Sequence, residues 1–148
     1  MKLLNPWYIT GFVEGEGSFN IIISKHKTKR IGYDARLSFE IELRGDDRSI
    51  LECIQRQFSC GRIYELKYER YGWNPHVKYS VRKQSDIRNI VIPFFRKYPL
   101  FGKKAKDFIL FCQAFESVIE YKRHLSEEGI EQLRTIRKYM NDRRPFGE

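Results

Sequence analysis

The chain has 148 residues, 41% of them apolar and 15% aromatic, which is enough to bury a core and excludes disorder throughout. A single domain over 1–148 is expected, with a core of about 4–122 and a C-terminal helical extension of about 126–142. The 28 Lys and Arg against 19 Asp and Glu leave a net charge of +9, which suggests a polyanionic partner. No apolar run approaches the roughly 18 residues of a membrane span, and three cysteines without a CxxC pair argue against a disulfide framework, so a soluble chain in a reducing, intracellular compartment is expected.

Asn5-Pro6 reads as a helix start, Asn as cap and Pro at the first helical position, and Trp7 to Glu14 is apolar enough to be buried before Gly15 and Gly17 end the helix. From Ser18 the period becomes two, with Phe19, Ile21 and Ile23 on one face and Asn20, Ile22, Ser24 and His26 on the other. After the basic loop Lys25 to Arg30 a second strand sets Ala35, Leu37, Phe39 and Ile41 inward and Asp34, Arg36, Ser38, Glu40 and Glu42 outward. Asp46 or Asp47 caps a helix carrying Ile50, Leu51, Ile54 and Phe58.

Arg62 to Tyr68 and His76 to Arg82 form a second hairpin, turning near Gly72 and Pro75. Lys78, Ser80 and Arg82 face outward. In the third strand either Arg62, Tyr64 and Leu66 or Ile63, Glu65 and Lys67 share that face, and the first set is preferred. Ser85 caps a helix to about Lys97 in which Pro93 predicts a kink or break near Val91. Lys103 to Tyr121 buries Phe108, Phe111, Ala114, Phe115 and Val118, and Ser126 caps a last amphipathic helix before the basic Arg143-Arg144. Two hairpins, each preceded by a helix, look like a repeated half.

The densest chemistry lies in Ile9-Thr10-Gly11-Phe12-Val13-Glu14-Gly15-Glu16-Gly17. A carboxylate buried at a helix C-terminus is desolvated and faces the negative end of the dipole, so a cation belongs there. The hard oxygens of Glu16, with phosphate and water, suit Mg²⁺, with Ca²⁺ or Mn²⁺ as substitutes. Gly11 and Gly15 lie four apart on one face, where a second copy of the helix could approach closely and bring a second Glu16 alongside the first. The residues alone leave a plainer reading open, in which the glycines cap the helix and Glu14 and Glu16 are solvated. His26, His76 and His124 lack the spacing of a metal set, and no Ser-His-Asp arrangement, phosphate-binding loop or dinucleotide fingerprint is present.

The nine residues ITGFVEGEG, followed at once by Ser18-Phe19, resemble the signature of the LAGLIDADG homing endonucleases, and the αββαββα order resembles that family's fold. The resemblance implies an α+β protein with a saddle-shaped antiparallel sheet over the DNA major groove, additional C-terminal helices, and a homodimer that cuts a long pseudo-palindromic site in both strands with Mg²⁺. It assigns Glu16 to the metal, and Glu14 to the helix end. The segment Tyr98 to Phe108 resembles the family's lead into the helix after the second hairpin, which implies a catalytic lysine at Lys104, with Lys103 the fallback. The glutamine that the family's best-known dimers place late in the second strand falls at Leu43, a departure for which Glu42 or Arg44 could substitute.

Under this resemblance the DNA readers are Asn20, Ile22, Ser24, His26, Asp34, Arg36, Ser38, Glu40, Arg62, Tyr64, Lys78, Ser80 and Arg82, a mixture of donors and acceptors suited to base edges. His26, Lys27 and Arg30 would grip the backbone in a salt-dependent way. Thr10, Gly11, Val13, Glu14 and Gly15 would form the dimer interface. An intron-encoded protein of an organelle or a prokaryotic cytoplasm is implied, the alternatives being an intron RNA maturase or an inactive DNA binder of the same fold.

Overall fold

The computed structural model describes residues 2–147. Helix α1 (Pro6–Glu16) leads directly into β1 (Gly17–Lys25), followed by β2 (Tyr33–Arg44), α2 (Arg48–Phe58), β3 (Arg62–Leu66) and β4 (His76–Val81). A helical run then passes through α3 (Gln84–Asp86), a π-turn Ile87–Val91 and α4 (Ile92–Lys97), before α5 (Lys103–Ala114), a second π-turn Phe115–Ile119 and α6 (Glu127–Arg137). The fold is α+β, as expected, with one four-stranded antiparallel sheet in the order β1-β2-β4-β3.

Two compact units divide the chain, one formed by residues up to Ser18 with Phe39–Leu100, the other by Phe19–Ser38 with residues from Phe101 onward. In the first, Phe39 is fully buried with its ring centroid 5.4 Å from Phe95 and 6.4 Å from both Phe58 and Tyr79. The pairs Phe39↔Val81, Ile41↔Tyr79 and Leu43↔Val77 put this aromatic layer on one face of β2 and β4. Glu40↔Ser80 and Glu42↔Lys78 alternate with them on the other. Because Arg62 lies opposite Ser80 and Tyr64 opposite Lys78, the third strand presents Arg62, Tyr64 and Leu66 on the polar face. In the second unit Phe19 packs on Phe108 and Phe111 at 5.3 and 5.2 Å, with Ile130 and Leu133 of α6 and Met140 also buried.

Several local expectations are corrected. Gly15 lies inside α1, which continues to Glu16, and the helix is not buried throughout, since Trp7 and Tyr8 are about half exposed. Neither aspartate caps α2: Asp46 is ion-paired with Arg44, and Asp47 occupies the cap position without a side-chain hydrogen bond. Lys83, not Ser85, precedes the helical run, and β3 ends at Leu66, short of Tyr68, with a 3₁₀ turn at Glu69–Tyr71 in the loop that follows. The regular α-helix is interrupted before Pro93 as expected, by a π-turn Ile87–Val91 that accommodates the missing amide hydrogen, but the chain stays helical and resumes as α4. Asn5 does cap α1, its Oδ1 accepting from Trp7 N at 2.8 Å, and Ser126 caps α6.

Candidate active site and nucleic-acid interface

The inward side of α1 is fixed by Ile9 and Val13, both fully buried, and by Thr10, whose Oγ1 donates to the Tyr98 carbonyl at 2.9 Å. Thr10 and Val13 therefore belong to this chain's own core and do not line an outer interface, as had been expected of them. A helix presents only part of its circumference outward, and their side points in. Glu14 is half-buried at the flank. Gly11 and Gly15 are exposed, and a Cβ built on either would meet nothing within 4 Å. Gly17 differs. Its φ of −89° suits any residue, but a Cβ there would lie 2.7 Å from Val13 Cγ1 and 3.1 Å from Val13 O, so the tight passage from helix to strand requires glycine for space.

Glu16 is the last residue of α1 and is exposed, contrary to the expectation of a buried carboxylate. Among the described residues its side chain makes no hydrogen bond or ion pair. An uncommitted hard-oxygen donor at the negative end of a helix suits a divalent cation. One chain supplies only this one carboxylate, and no group of three acidic, His or Cys ligands occurs among the described residues. Glu16 thus fits Mg²⁺ as one member of a set completed from outside the chain.

On the polar face of the first unit, Lys78 Nζ lies 3.7 Å from carboxylate oxygens of both Glu40 and Glu42, and Arg82 reaches Glu40 at 3.6 Å while donating to Ser80 Oγ at 3.2 Å. Glu42 Oε2 is also 3.0 Å from His76 Nδ1 and accepts from the Tyr68 hydroxyl at 3.4 Å. Burial, and next the charge of Glu42, push the Tyr68 phenol above its usual pKa. Tyr68 and His76 were not singled out from the sequence; a turn residue and a strand-end histidine become visible as partners only when the register is known. An open cleft of about 890 Å³ runs along Arg62, Tyr64, Ser80, Arg82, Lys83 and Asp86.

Ser38, Glu40 and Ser80 face as the alternation requires but are buried, not solvated. They sit on β2 and β4, the inner strands, and the lysine and arginine stems beside Glu40 cover it. Leu43 lies on the core face opposite Val77, so no polar group reaches the outer face from that position. Arg44 is engaged with Asp46.

In the second unit, half-buried Asn20 and Ile22 alternate with buried Phe19 and Ile21, and Ser24, His26, Lys27 and Arg30 are exposed. His26 Nδ1 lies 3.0 Å from Thr28 Oγ1. Asp34 sits 4.0 Å from Lys29 and 3.7 Å from Arg36, holding both cations on the outer side. Lys104 is half-buried at the start of α5, whereas Lys103 is exposed with Nζ 5.7 Å from the Phe146 ring centroid.

Residues 9–115 match the family model described as LAGLIDADG endonuclease. The chain is 36% identical over 138 residues to a Neurospora crassa protein named probable intron-encoded endonuclease 3, covering 93% of this chain and 25% of that one. It spans roughly a quarter of the length of the curated relatives it matches first. Among solved structures, I-LtrWI, a LAGLIDADG homing endonuclease bound to target DNA, superposes with a TM-score of 0.89 at 32% identity, covering 98% of this chain and 47% of that chain. The homing endonuclease I-TnaI superposes at 0.84 and 30% identity, over 95% of this chain and 90% of that one. No described helix is long and apolar enough to cross a membrane.

Proposed function

Because the chain belongs to the LAGLIDADG endonuclease family, we propose that it is a Mg²⁺-dependent, site-specific DNA endonuclease that hydrolyses one phosphodiester in each strand of a long, pseudo-palindromic site. The reading is carried by one observation: α1 presents an open Gly11 and Gly15 face that ends in the uncommitted, exposed carboxylate of Glu16. A second copy of α1 packed on that face sets two such carboxylates beside a two-fold axis, which matches the symmetry of two DNA strands.

Glu16 of each copy would hold Mg²⁺, which supplies acidification of water and charge neutralisation at the phosphodiester. Lys104, with Lys103 next to it, stabilises the negative charge that grows on the phosphoryl oxygens. Arg62, Lys78 and Arg82 offer donors to guanine edges, and the covered carboxylate of Glu40 holds Lys78 and Arg82 in place for that task. The basic loop with His26, Lys27 and Arg30 supplies phosphate contacts.

The inactive-binder reading has one observation in its favour, the buried Leu43, which leaves that strand position without a polar group to organise water. Cleavage of a randomised-site DNA library in Mg²⁺, with binding followed in Ca²⁺, decides between them. The expected result is a recurrent near-palindromic site cut by the native protein, with Glu16→Gln binding it comparably and cutting at least 10³-fold more slowly, about 4 kcal/mol of lost transition-state stabilisation. Equal binding of DNA or intron RNA by both proteins without cleavage would instead establish an inactive binder or a maturase.

A further inference from the structure

The pair formed by Glu42 and His76 on the polar face of the first unit has no part in the reaction or the base contacts given so far. His76 opens β4, two residues before Lys78, and its cross-strand partner Arg44 is turned aside into the ion pair with Asp46. His76 Nδ1 lies 3.0 Å from Glu42 Oε2, and the Tyr68 ring flanks the imidazole at 5.0 Å while its hydroxyl donates to the same oxygen at 3.4 Å. Trp73 meets Tyr68 edge-on at 5.6 Å and steadies that ring from the loop side. Glu42 Oε1 faces Lys78 Nζ at 3.7 Å. A carboxylate engaged by donors at both oxygens accepts, so the hydrogen between Glu42 and His76 belongs to Nδ1. A neutral imidazole carries one ring hydrogen, and one held on Nδ1 leaves Nε2 a bare acceptor. Among the described residues Nε2 has no hydrogen-bond partner, and the side chain is 33% exposed.

We infer that His76 is a specificity-determining residue that reads an exocyclic amine in the major groove, cytosine N4 or adenine N6, through Nε2, with Glu42 as the positioning residue that fixes its tautomer; this rests on the endonuclease reading above. The neighbouring charged groups leave that role open. Arg62, Lys78 and Arg82 can only donate, and the carboxylates of Glu40 and Glu42 are taken up by Lys78, Arg82 and His76. A row of donors selects the carbonyl and N7 edges of guanine and the O4 of thymine, whereas one acceptor set among them tells an amine from a carbonyl at its own position. As an ion pair this exposed, Glu42 and His76 add little to stability, so the larger effect of the contact is on which ring nitrogen carries the hydrogen.

The test has two readouts. Nitrogen-15 spectra of the histidine rings, taken in alkaline buffer where histidine is ordinarily neutral, should show the His76 signal, identified by its loss in His76→Ala, with the hydrogen on Nδ1; Glu42→Ala should convert it to a mixture of both tautomers. A hydrogen on Nε2 in the native protein, as the other tautomer or as imidazolium, overturns the inference, as do identical spectra in the two proteins. Binding selection on a randomised duplex library in Ca²⁺ and the same buffer then compares native protein, His76→Ala, Glu42→Ala and Lys78→Ala, with melting temperature recorded for each. The expected result is one symmetric pair of positions at which the native protein prefers cytosine or adenine, and at which His76→Ala and Glu42→Ala each lose about fivefold or more of that discrimination. Lys78→Ala should relax a different pair, which separates release of Lys78 from release of His76. Unchanged preferences in His76→Ala, or a uniform loss of affinity at all positions, overturn the inference while the endonuclease reading stands. A native protein that binds no duplex at all overturns that reading and the base contact with it. Should Glu42→Ala fail to fold, the native spectrum and His76→Ala decide.

Discussion

At the scale of single residues, His124 and Asp107 show how burial converts charge into stability. His124 is buried with no hydrogen-bond partner for Nδ1 among the described residues, and desolvation lowers its pKa below the ordinary 6.5, opposed by the charge of Asp34 and reinforced by that of Lys29. The unfolded chain therefore takes up a proton below about pH 6.5 that the folded chain resists. Stability contributed through this group is complete above that pH and is lost as pH falls toward the lowered, folded-state value. His124→Gln should flatten the fall in melting temperature between pH 7 and 5 relative to the native protein; parallel curves would remove His124 as the cause. Asp107 and Arg144 are a buried pair, so Asp107→Ala strands a guanidinium and should cost about 3–5 kcal/mol in urea unfolding, whereas replacing both by apolar residues should cost less. The sequence offered Arg144 only as part of a basic tail. Its partner lies 37 positions away, beyond the reach of any local pattern.

Among elements, the glycine that ends the α2-to-β3 connection is the most constrained. Gly61 has φ +86°, and a Cβ there would lie 2.6 Å from the ring of Tyr79 and 3.0 Å from Ser80 O. Tyr79 cannot yield, being fully buried with its hydroxyl donating to the Cys60 carbonyl at 2.8 Å. Gly72, in the β3-to-β4 turn, has φ +76° with nothing within 4 Å. Gly72→Ala should therefore cost only backbone strain, about 1–2 kcal/mol. Gly61→Ala adds overpacking, for a total of about 2–5 kcal/mol. Equal losses in denaturant titrations would show that the Tyr79 ring moves aside. Strand alternation and both helix caps at Asn5 and Ser126 were legible because they depend on neighbours two to four residues away. The π-turn before Pro93 was not, since only packing of Ile87, Val91 and Ile92 on the core determines whether a proline bends a helix or is absorbed.

For the whole molecule the decisive surface is the open side of α1. Because a Cβ at Gly11 or Gly15 meets nothing within the chain, Gly11→Leu and Gly15→Leu should leave the folded monomer as stable as before or slightly more so, glycine being the poorer helix former by about 1 kcal/mol. If α1 pairs with a second copy as proposed, both should nevertheless shift sedimentation from dimer to monomer and abolish double-strand cleavage, because close approach of two helices requires small residues. A dimer persisting in both variants would move the interface elsewhere.

By itself the sequence determined the α+β order, the core face of each strand and the family, because hydrophobic periods and a nine-residue motif are local and repetitive signals. Tertiary structure decided which polar residues are accessible and what they touch. Glu16 is exposed, Thr10 and Val13 turn inward, Glu40 lies beneath Lys78 and Arg82, and Asn141 reaches the Phe19 carbonyl across 122 positions of chain. Burial and ion pairing depend on groups brought together from remote segments, and no spacing rule encodes the partner of a side chain that far away.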